Sequence, residues 1–254
     1  MAKYPTNEER TAEYLKRFDR EKTLKYLIRM AAPVVFDVGA NVGSTLDEFK
    51  AWWPESTVHC FEPQQECWEP LAQRALRHGA KAIVNRFAAG DRSDEQATFY
   101  SHDISSGISG FNKVNLSSLD SIQLQRVSQD SPQAVREYGQ TLNHERKVTI
   151  VRLEDYMSAS GVDHLDLLKI DTQGYEPEVL AGFGPRLAQV DVVITELMFY
   201  DYYERSLSFS DIERYLLPAG FHLYDISHIA KNPMNGRTDW VDVVYVHERV
   251  RKRA

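Results

Sequence analysis

Four acidic residues each end an apolar run typical of a buried β-strand, and these residues could do chemistry together. They are Asp37, Glu62, Asp171 and Glu196. In an open α/β sheet, ligands bind outside the carboxyl ends of the strands. We therefore expect the four carboxylates to converge on one crevice. Such a group of carboxylates fits a cationic ligand, a divalent metal ion or general-base catalysis on a hydroxyl group.

The first of these acids precedes a glycine-bearing turn, in which Gly39 and Gly43 bracket the bend. A helical apolar pattern follows at once, and a second apolar run then ends on Glu62, 19 residues after Gly43. A strand, a turn, a helix and a strand in this order build a nucleoside site, where the acid at the tip of the second strand binds ribose hydroxyls. The spacing therefore predicts that Glu62 holds a ribose.

The residues of this turn narrow the choice of ligand. A dinucleotide-binding turn reads GxGxxG because its middle glycine lets a pyrophosphate approach the backbone, and Asn41 stands at that position here. Asp37 suits a positively charged group better than an anion. S-Adenosylmethionine (SAM) carries an ammonium, a sulfonium and a ribose, and it is therefore favoured. The simpler interpretation is that Asp37 only ties the turn together by accepting hydrogen bonds from backbone amides.

The composition is that of an ordinary globular protein. The chain has 254 residues, of which 43% are hydrophobic, enough for one domain with a sizeable core. Its net charge of −7 argues against nucleic acid as a partner, no apolar run is long enough to cross a membrane, and the polar N-terminus is not a secretory signal. Two cysteines without a metal-type cluster indicate a reducing compartment. We therefore expect a cytoplasmic protein.

Alternating buried strands and helices predict a doubly wound, mostly parallel sheet. After the two strands around the glycine turn, strands are predicted at 82–84, 97–100, 148–153, 165–171 and 190–196, with an antiparallel pair at 221–226 and 240–246. A helix is predicted at 66–78, with Gly79 as its C-terminal cap and with Leu71, Ala75 and Leu76 facing inward. A capping box of Ser210 and Glu213 indicates a late helix.

We divide the chain into an N-terminal helical segment, 1–33, and one domain, 34–254. The N-terminal helices are interpreted as packing helices that could also pair two subunits in a homo-oligomer. The stretch 101–146 is the least periodic part of the chain and is rich in Ser, Gly, Asn and Gln. Long irregular segments inside a compact domain are usually functional loops or disordered. We therefore expect this insertion to form a lid or part of a substrate site over the open end of the sheet.

Several motifs together resemble the FkbM-type SAM-dependent methyltransferases, a family within the class I methyltransferases. They are DVGANVGS at 37–44, FEP at 61–63, AAGD at 88–91, LKIDTQGYEPEVLAG at 168–182 and ITE at 194–196. The first motif is shared by many class I methyltransferases, whereas KIDTQGYE is specific to the family. Their order and spacing agree from about residue 34 to residue 224.

The resemblance implies a Rossmann-like seven-stranded sheet, SAM as cofactor, and O-methylation of a hydroxyl on a small molecule, sugar or glycosylated metabolite. It implies that the turn from Gly39 to Gly43 holds the methionine end of SAM and that Glu62 holds its ribose. It further implies that Ala88 flanks the adenine and that Asp171 lies beside the methionine and the methyl acceptor. The full set of predicted cofactor-binding residues is Asp37, Gly39, Ala40, Asn41, Gly43, Glu62, Pro63, Ala88 and Asp171.

Methyl transfer to a hydroxyl requires alignment of the reactants and removal of the hydroxyl proton. We predict Asp171 and Glu196 as the catalytic residues: one acts as the base, or both share a divalent metal ion. For Glu196, a cap or an ion pair at the sheet edge is the alternative. His102 is a weaker candidate, because a histidine in a serine-rich loop is usually solvated. Three tyrosines are expected to cover the end of the sheet: Tyr200, Tyr202 and Tyr203.

Three alternatives remain open at this point. A nicotinamide-dependent oxidoreductase would need the dinucleotide turn, against which Asn41 and Asp37 argue. A SAM-binding protein without turnover would have no need of the acids at the strand ends. A nucleic-acid methyltransferase is disfavoured by the net negative charge.

Overall fold

The computed structural model describes residues 5–118, 121 and 131–252, and of Glu95 it describes only the backbone. In these residues, ten strands form two sheets. The strands of the large sheet are β1 (Val34–Val38), β2 (Thr57–Phe61), β3 (Ala82–Asn85), β7 (Leu165–Ile170), β8 (Val190–Met198), β9 (Phe221–Lys231) and β10 (Thr238–His247). The strands of the small sheet are β4 (Ala88–Ala89), β5 (Asp94–Ser101) and β6 (His144–Val151). Residues 119–120 and 122–130 of the predicted insertion lie outside the described residues.

The large sheet has seven strands in the order β3-β2-β1-β7-β8-β10-β9. Its strands are parallel except β10, which runs antiparallel to both β8 and β9. The mostly parallel sheet with an antiparallel edge is therefore confirmed. The strand order reverses direction between β1 and β7, and the carboxyl ends of these two strands open the crevice where ligands bind in such sheets.

Helices pack against both faces of this sheet. In the part of the chain that the structure describes, the α-helices are α1 (Asn7–Arg17), α2 (Arg20–Leu27), α3 (Ser44–Trp52), α4 (Gln65–Leu76), α5 (Pro132–Gln140), α6 (Leu153–Ser160), α7 (Glu176–Gly182), α8 (Phe209–Leu216) and α9 (Glu248–Arg251). Side chains of α2, α3 and α4 join the core on the Val35 face of the sheet. Those of α6, α7 and α8 join the core on the Phe36 face. Because neighbouring strand residues point to opposite faces, both layers are built from the same apolar strands.

Four local predictions were wrong. Leu76 is 73% exposed, because it lies about 100° around the helix from the buried Ala75. The strand predicted at 148–153 ends at Val151, since Leu153 already begins α6. The capping box is formed by Ser208 and Asp211. The helix predicted to reach 78 ends at Leu76, so Gly79 lies beyond its cap.

Other features agree with the sequence. Both cysteines, Cys60 and Cys67, are buried and free. Two helices precede β1, as predicted for the N-terminal segment. Among the helices that the structure describes, none combines the length and the apolar character needed to cross a bilayer.

Candidate active site

The turn after β1 brings its backbone close to the ends of β2 and β7. The amides of Gly39 and Ala40 donate to the Phe61 carbonyl at 3.0 and 3.1 Å, and the Asp171 amide donates to the Val38 carbonyl at 3.0 Å. Gly39 has a φ of 80°, and a Cβ atom there would lie 1.9 Å from the Asp171 carbonyl oxygen. This turn therefore needs glycine for both its conformation and its close approach to β7.

We expect Gly39→Ala to lower the free energy of unfolding by about 3 kcal/mol or more, because the new methyl group displaces the end of β7. Gly161→Ala is the matched control, since Gly161 also has a positive φ, 68°, but nothing lies within 4 Å of its Cβ position. Urea denaturation of both variants would separate backbone strain from the clash. Equal losses in the two variants would contradict the steric argument.

Glu62 follows β2 directly and is almost fully buried. Its Oε2 accepts the Asn41 amide at 2.8 Å, and its Oε1 accepts the Gln64 amide at 2.7 Å. Burial raises the pKa of this carboxyl to about 7, against the effect of these amides. Each oxygen keeps a second lone pair, and the residue lines a cleft. The carboxylate is therefore held in one orientation and can accept bonds from two adjacent hydroxyl groups.

This cleft encloses about 570 Å³ of empty space, part of it open to solvent. Six of the predicted cofactor-binding residues line it: Gly39, Asn41, Glu62, Pro63, Ala88 and Asp171. The other three do not, namely Asp37, Ala40 and Gly43. Gly43 instead faces α4, where its Cβ position lies 2.8 Å from Leu71. The predicted set therefore divides into residues that face the cleft and residues that support the turn behind it.

A short stretch of the insertion, from Ser106 to Phe111, contributes to the lining of this cleft. Ser106 bonds through its hydroxyl to Asn41 Oδ1 at 3.0 Å, and its carbonyl accepts from Gln64 Nε2 at 3.0 Å. Ser106, Gly107 and Ser109 line the cleft, as do Phe99 and Phe111. No periodic pattern in the sequence identified these residues individually. The insertion therefore has the position expected of a lid, and its role as a lid stays a prediction.

Asp37 is fully buried behind the turn, beside Lys169 of β7. Lys169 Nζ lies 3.2 Å from Asp37 Oδ1 and donates to the Gly39 carbonyl at 3.2 Å. Burial alone would lower the pKa of Lys169, but Asp37 and Asp171 offset this effect and raise it. Neither Asp37 oxygen accepts a backbone amide from the described residues. The interpretation that Asp37 binds such amides is therefore wrong: its partner is a lysine that ties the turn to β7.

Gln173 joins the two predicted catalytic acids. Its Nε2 donates to Asp171 Oδ1 at 2.7 Å and lies 3.4 Å from Glu196 Oε2. Its Oε1 accepts from the Tyr203 hydroxyl at 2.7 Å, and its φ of 57° is unusual for a residue other than glycine. Sequence reasoning missed this role, although Gln173 lies within the KIDTQGYE motif. The structure thus brings Asp171 and Glu196 together through an amide.

A second cavity adjoins the cleft on the other side of Asp171. It is lined by Asp171, Glu196, Asp242, Lys169, Thr45 and Arg20, among others. Glu196 lies inside β8 rather than at its end, because β10 pairs with β8 as far as Met198 and sets Asp242 opposite Glu196. Asp171 is therefore shared by the cleft and by a second cavity whose lining contains both acidic and basic side chains.

Its surroundings favour the neutral form of the Glu196 carboxyl. Burial, followed by the nearby charges of Asp171, Glu176 and Asp242, raises its pKa to about 9. A divalent ion shared by Asp171 and Glu196 is not supported, because the Gln173 amide lies between them and Lys169 Nζ lies 3.5 Å from Asp171 Oδ2. Glu196 is therefore suited to donating a hydrogen bond rather than to accepting a proton.

We expect Glu196→Gln to stabilise the free protein at pH 8 to 9, by a rise in Tm of about 2–4 °C or more. The folded-state pKa of Glu196 is raised, so the unfolded chain binds fewer protons than the native state, and wild-type stability falls as pH rises towards 9. Glutamine removes this loss. Thermal unfolding between pH 6.5 and 9 measures it, with the exposed Glu145→Gln as control. Parallel wild-type and variant curves would contradict the raised pKa.

The remaining predicted residues are His102 and the three tyrosines near the end of the sheet. His102 is buried rather than solvated, its Nδ1 accepts the Asn143 amide at 2.9 Å, and burial lowers its pKa to about 4. Three tyrosines pack together with Val114 and cover the sheet end as predicted: Tyr200, Tyr202 and Tyr203.

Comparisons with known proteins identify the family to which the chain belongs. The methyltransferase FkbM domain family matches residues 37–223 of the chain. The 31-O-demethyl-FK506 methyltransferase FkbM of Streptomyces tacrolimicus is 30% identical over 167 residues, which cover 62% of this chain and 63% of that protein. The match thus spans less than two thirds of that relative. The 2-O-methyltransferase NoeI of Sinorhizobium fredii is 29% identical over 182 residues, 71% of this chain and 70% of NoeI.

A solved structure shares the fold. The crystal structure of methyltransferase FkbM from Methylobacillus flagellatus superposes with a TM-score of 0.51 at 13% identity, over 85% of this chain and 44% of that one. The motifs, the sheet order and the family match lead to the same conclusion. The chain belongs to the FkbM methyltransferase family and has its seven-stranded α/β fold.

Proposed function

We propose that the protein is a SAM-dependent O-methyltransferase acting on a hydroxyl of a small-molecule or carbohydrate acceptor. The observation that carries this proposal is the position of Asp171, which lines both the cleft that contains Glu62 and the neighbouring second cavity. A cofactor in the first and an acceptor in the second would meet at this carboxylate. The names of two relatives, a 31-O-demethyl-FK506 methyltransferase and a 2-O-methyltransferase, support transfer to oxygen.

The residues of the cleft fit SAM. Glu62 lines the cleft, and each of its carboxylate oxygens, which already accepts one backbone amide, keeps a lone pair for a ribose hydroxyl. The bare backbone of Gly39 lets the methionine end of SAM approach the turn. Ala88, Phe99 and Phe111 offer apolar surface to its adenine ring. SAM supplies the chemistry of an electrophilic methyl group on a sulfonium leaving group.

In the proposed mechanism, Asp171 accepts the proton of the attacking hydroxyl group. Gln173 Nε2 and Lys169 Nζ contact its two oxygens at 2.7 and 3.5 Å, and these contacts orient the carboxylate. The neutral Glu196 and its neighbour Asp242 bind other polar groups of the acceptor in the second cavity. Because this cavity combines three carboxyl groups with the cations Lys169 and Arg20, and because the chain has a net charge of −7, we propose a neutral acceptor rather than nucleic acid.

The test combines binding and turnover. The purified protein is titrated calorimetrically with SAM and, separately, with NAD, and is then incubated with SAM and a panel of hydroxylated acceptors while S-adenosylhomocysteine is measured. SAM binding together with acceptor-dependent product supports the proposal. Binding of NAD instead of SAM by the folded protein would overturn it. SAM binding without a single turnover on a broad panel would favour a SAM-binding protein without activity.

A further inference from the structure

Three side chains of metal-ligand type meet at the end of the sheet opposite the active site. His164 precedes β7, Asp166 lies in β7, and Asp191 lies in the neighbouring strand β8. His164 Nε2 lies 3.6 Å from Asp166 Oδ1 and 3.4 Å from Asp191 Oδ2. One ligand atom from each residue lies within 4.8 Å of the other two. Ligand atoms about 2.1 Å from a tetrahedral ion are roughly 3.4 Å apart, so only small side-chain shifts would close this geometry.

A hydrogen-bond donor anchors one oxygen of each carboxylate. Asp166 Oδ2 accepts the Val34 amide at 2.8 Å, and Asp191 Oδ1 accepts from Arg249 Nε. Each carboxylate is therefore anchored by one oxygen and presents the other towards His164. Metal-binding carboxylates are oriented in this way by hydrogen-bond donors behind them.

The surroundings leave the three side chains accessible to an ion. The side chains of Asp166 and Asp191 are 9% and 16% exposed, whereas that of His164 is 48% exposed, so an ion can enter from the histidine side. With a neutral imidazole, the two carboxylates exceed the one positive charge of Arg249. A cavity lined by these three residues and by Met30 and Val250 provides room for water ligands. Arg29 also lines this cavity, but its guanidinium lies over the Tyr26 ring, 5.0 Å from the centroid.

We propose that His164, Asp166 and Asp191 bind one first-row divalent metal ion, with Zn²⁺ as the best match to one imidazole and two carboxylates. The site is independent of methyl transfer, since it lies at the amino ends of β7 and β8, whereas Asp171 follows the carboxyl end of β7. The ion would join these two strands and stabilise the folded chain by mass action. The contact between Arg249 and Asp191 partly neutralises one ligand and limits the affinity.

The experiment uses the full chain, freed of metal by a chelator and then desalted. Calorimetric titration with Zn²⁺ should give one ion per chain, a rise in Tm should accompany binding, and Co²⁺ should develop visible absorption bands as it enters the site. His164→Ala should weaken Zn²⁺ binding by more than about tenfold. His228→Ala is the matched control, because His228 is an exposed histidine on β9. It should bind Zn²⁺ like the wild type.

Asp166→Asn is a second test, at a buried ligand, and should also weaken Zn²⁺ binding. Circular dichroism checks that this variant keeps the wild-type fold. Equal affinities for the wild type and His164→Ala would mean an adventitious ion only and would overturn the proposal. Binding without any rise in Tm would also overturn it, because the ion would then not favour the folded state. Both readouts use protein without SAM, so their outcome does not depend on the proposed methyltransferase activity.

Discussion

Asp171→Asn is expected to lower kcat by about 10²- to 10⁴-fold, the usual contribution of a general base. Asparagine has nearly the same shape and can still accept a bond from Gln173 Nε2, which lies 2.7 Å from Asp171 Oδ1, but its amide cannot take up the hydroxyl proton. The loss should therefore appear in turnover and not in the fold. The measurement is the rate of S-adenosylhomocysteine formation with a genuine acceptor, together with a separate SAM titration.

Asp155→Asn is the matched control for this variant, because Asp155 is an exposed aspartate on α6 and the substitution is the same. It should keep wild-type turnover. Glu196→Gln should reduce kcat far less than Asp171→Asn, since burial and neighbouring acids already keep Glu196 neutral, with a pKa of about 9. Near-full activity of Asp171→Asn, or a larger loss for Glu196→Gln, would assign the base to another residue.

Glu62→Gln is expected to weaken SAM binding by about ten- to a hundredfold. Hydrogen bonds to a charged group contribute about 1.5–3 kcal/mol, and each 1.4 kcal/mol corresponds to a factor of about ten in affinity. The buried carboxylate is held by the Asn41 and Gln64 amides, so it has no alternative orientation in which to compensate. Calorimetric titration measures the loss. Glu66→Gln, which removes an exposed charge four residues further along, should bind SAM like the wild type.

The same carboxyl predicts how SAM binding depends on pH. Burial raises the pKa of Glu62 to about 7, and the ribose hydroxyls bind its ionised form. Lowering the pH therefore protonates the group and opposes binding, so the affinity of the wild type should fall about tenfold between pH 8 and pH 6. Glu62→Gln should show no such change. A wild-type affinity that is constant over this range would mean that Glu62 does not contact the ligand as an anion.

The sequence alone was sufficient for the elements that depend on local pattern. The apolar runs located every strand of the large sheet, and the glycine turn located the start of α3. Strand ends could be predicted because buried strands are continuous apolar runs followed by polar residues. Since the carboxyl ends of parallel strands meet at one edge, the positions of Glu62 and Asp171 in one cleft also followed from the sequence.

The tertiary structure alone decided how each acid is used. Asp37 pairs with Lys169, 132 residues away in sequence, and does not line the cleft. Burial within the sheet, followed by the charges of Asp171, Glu176 and Asp242, raises the pKa of Glu196, and it is β10 that sets Asp242 opposite this residue. Periodicity encodes which face a residue occupies, but burial and charge pairing depend on segments that are distant in the chain. The contacts of Gln173 and the cluster around His164 could not be predicted for the same reason, because each brings together residues from different strands and loops.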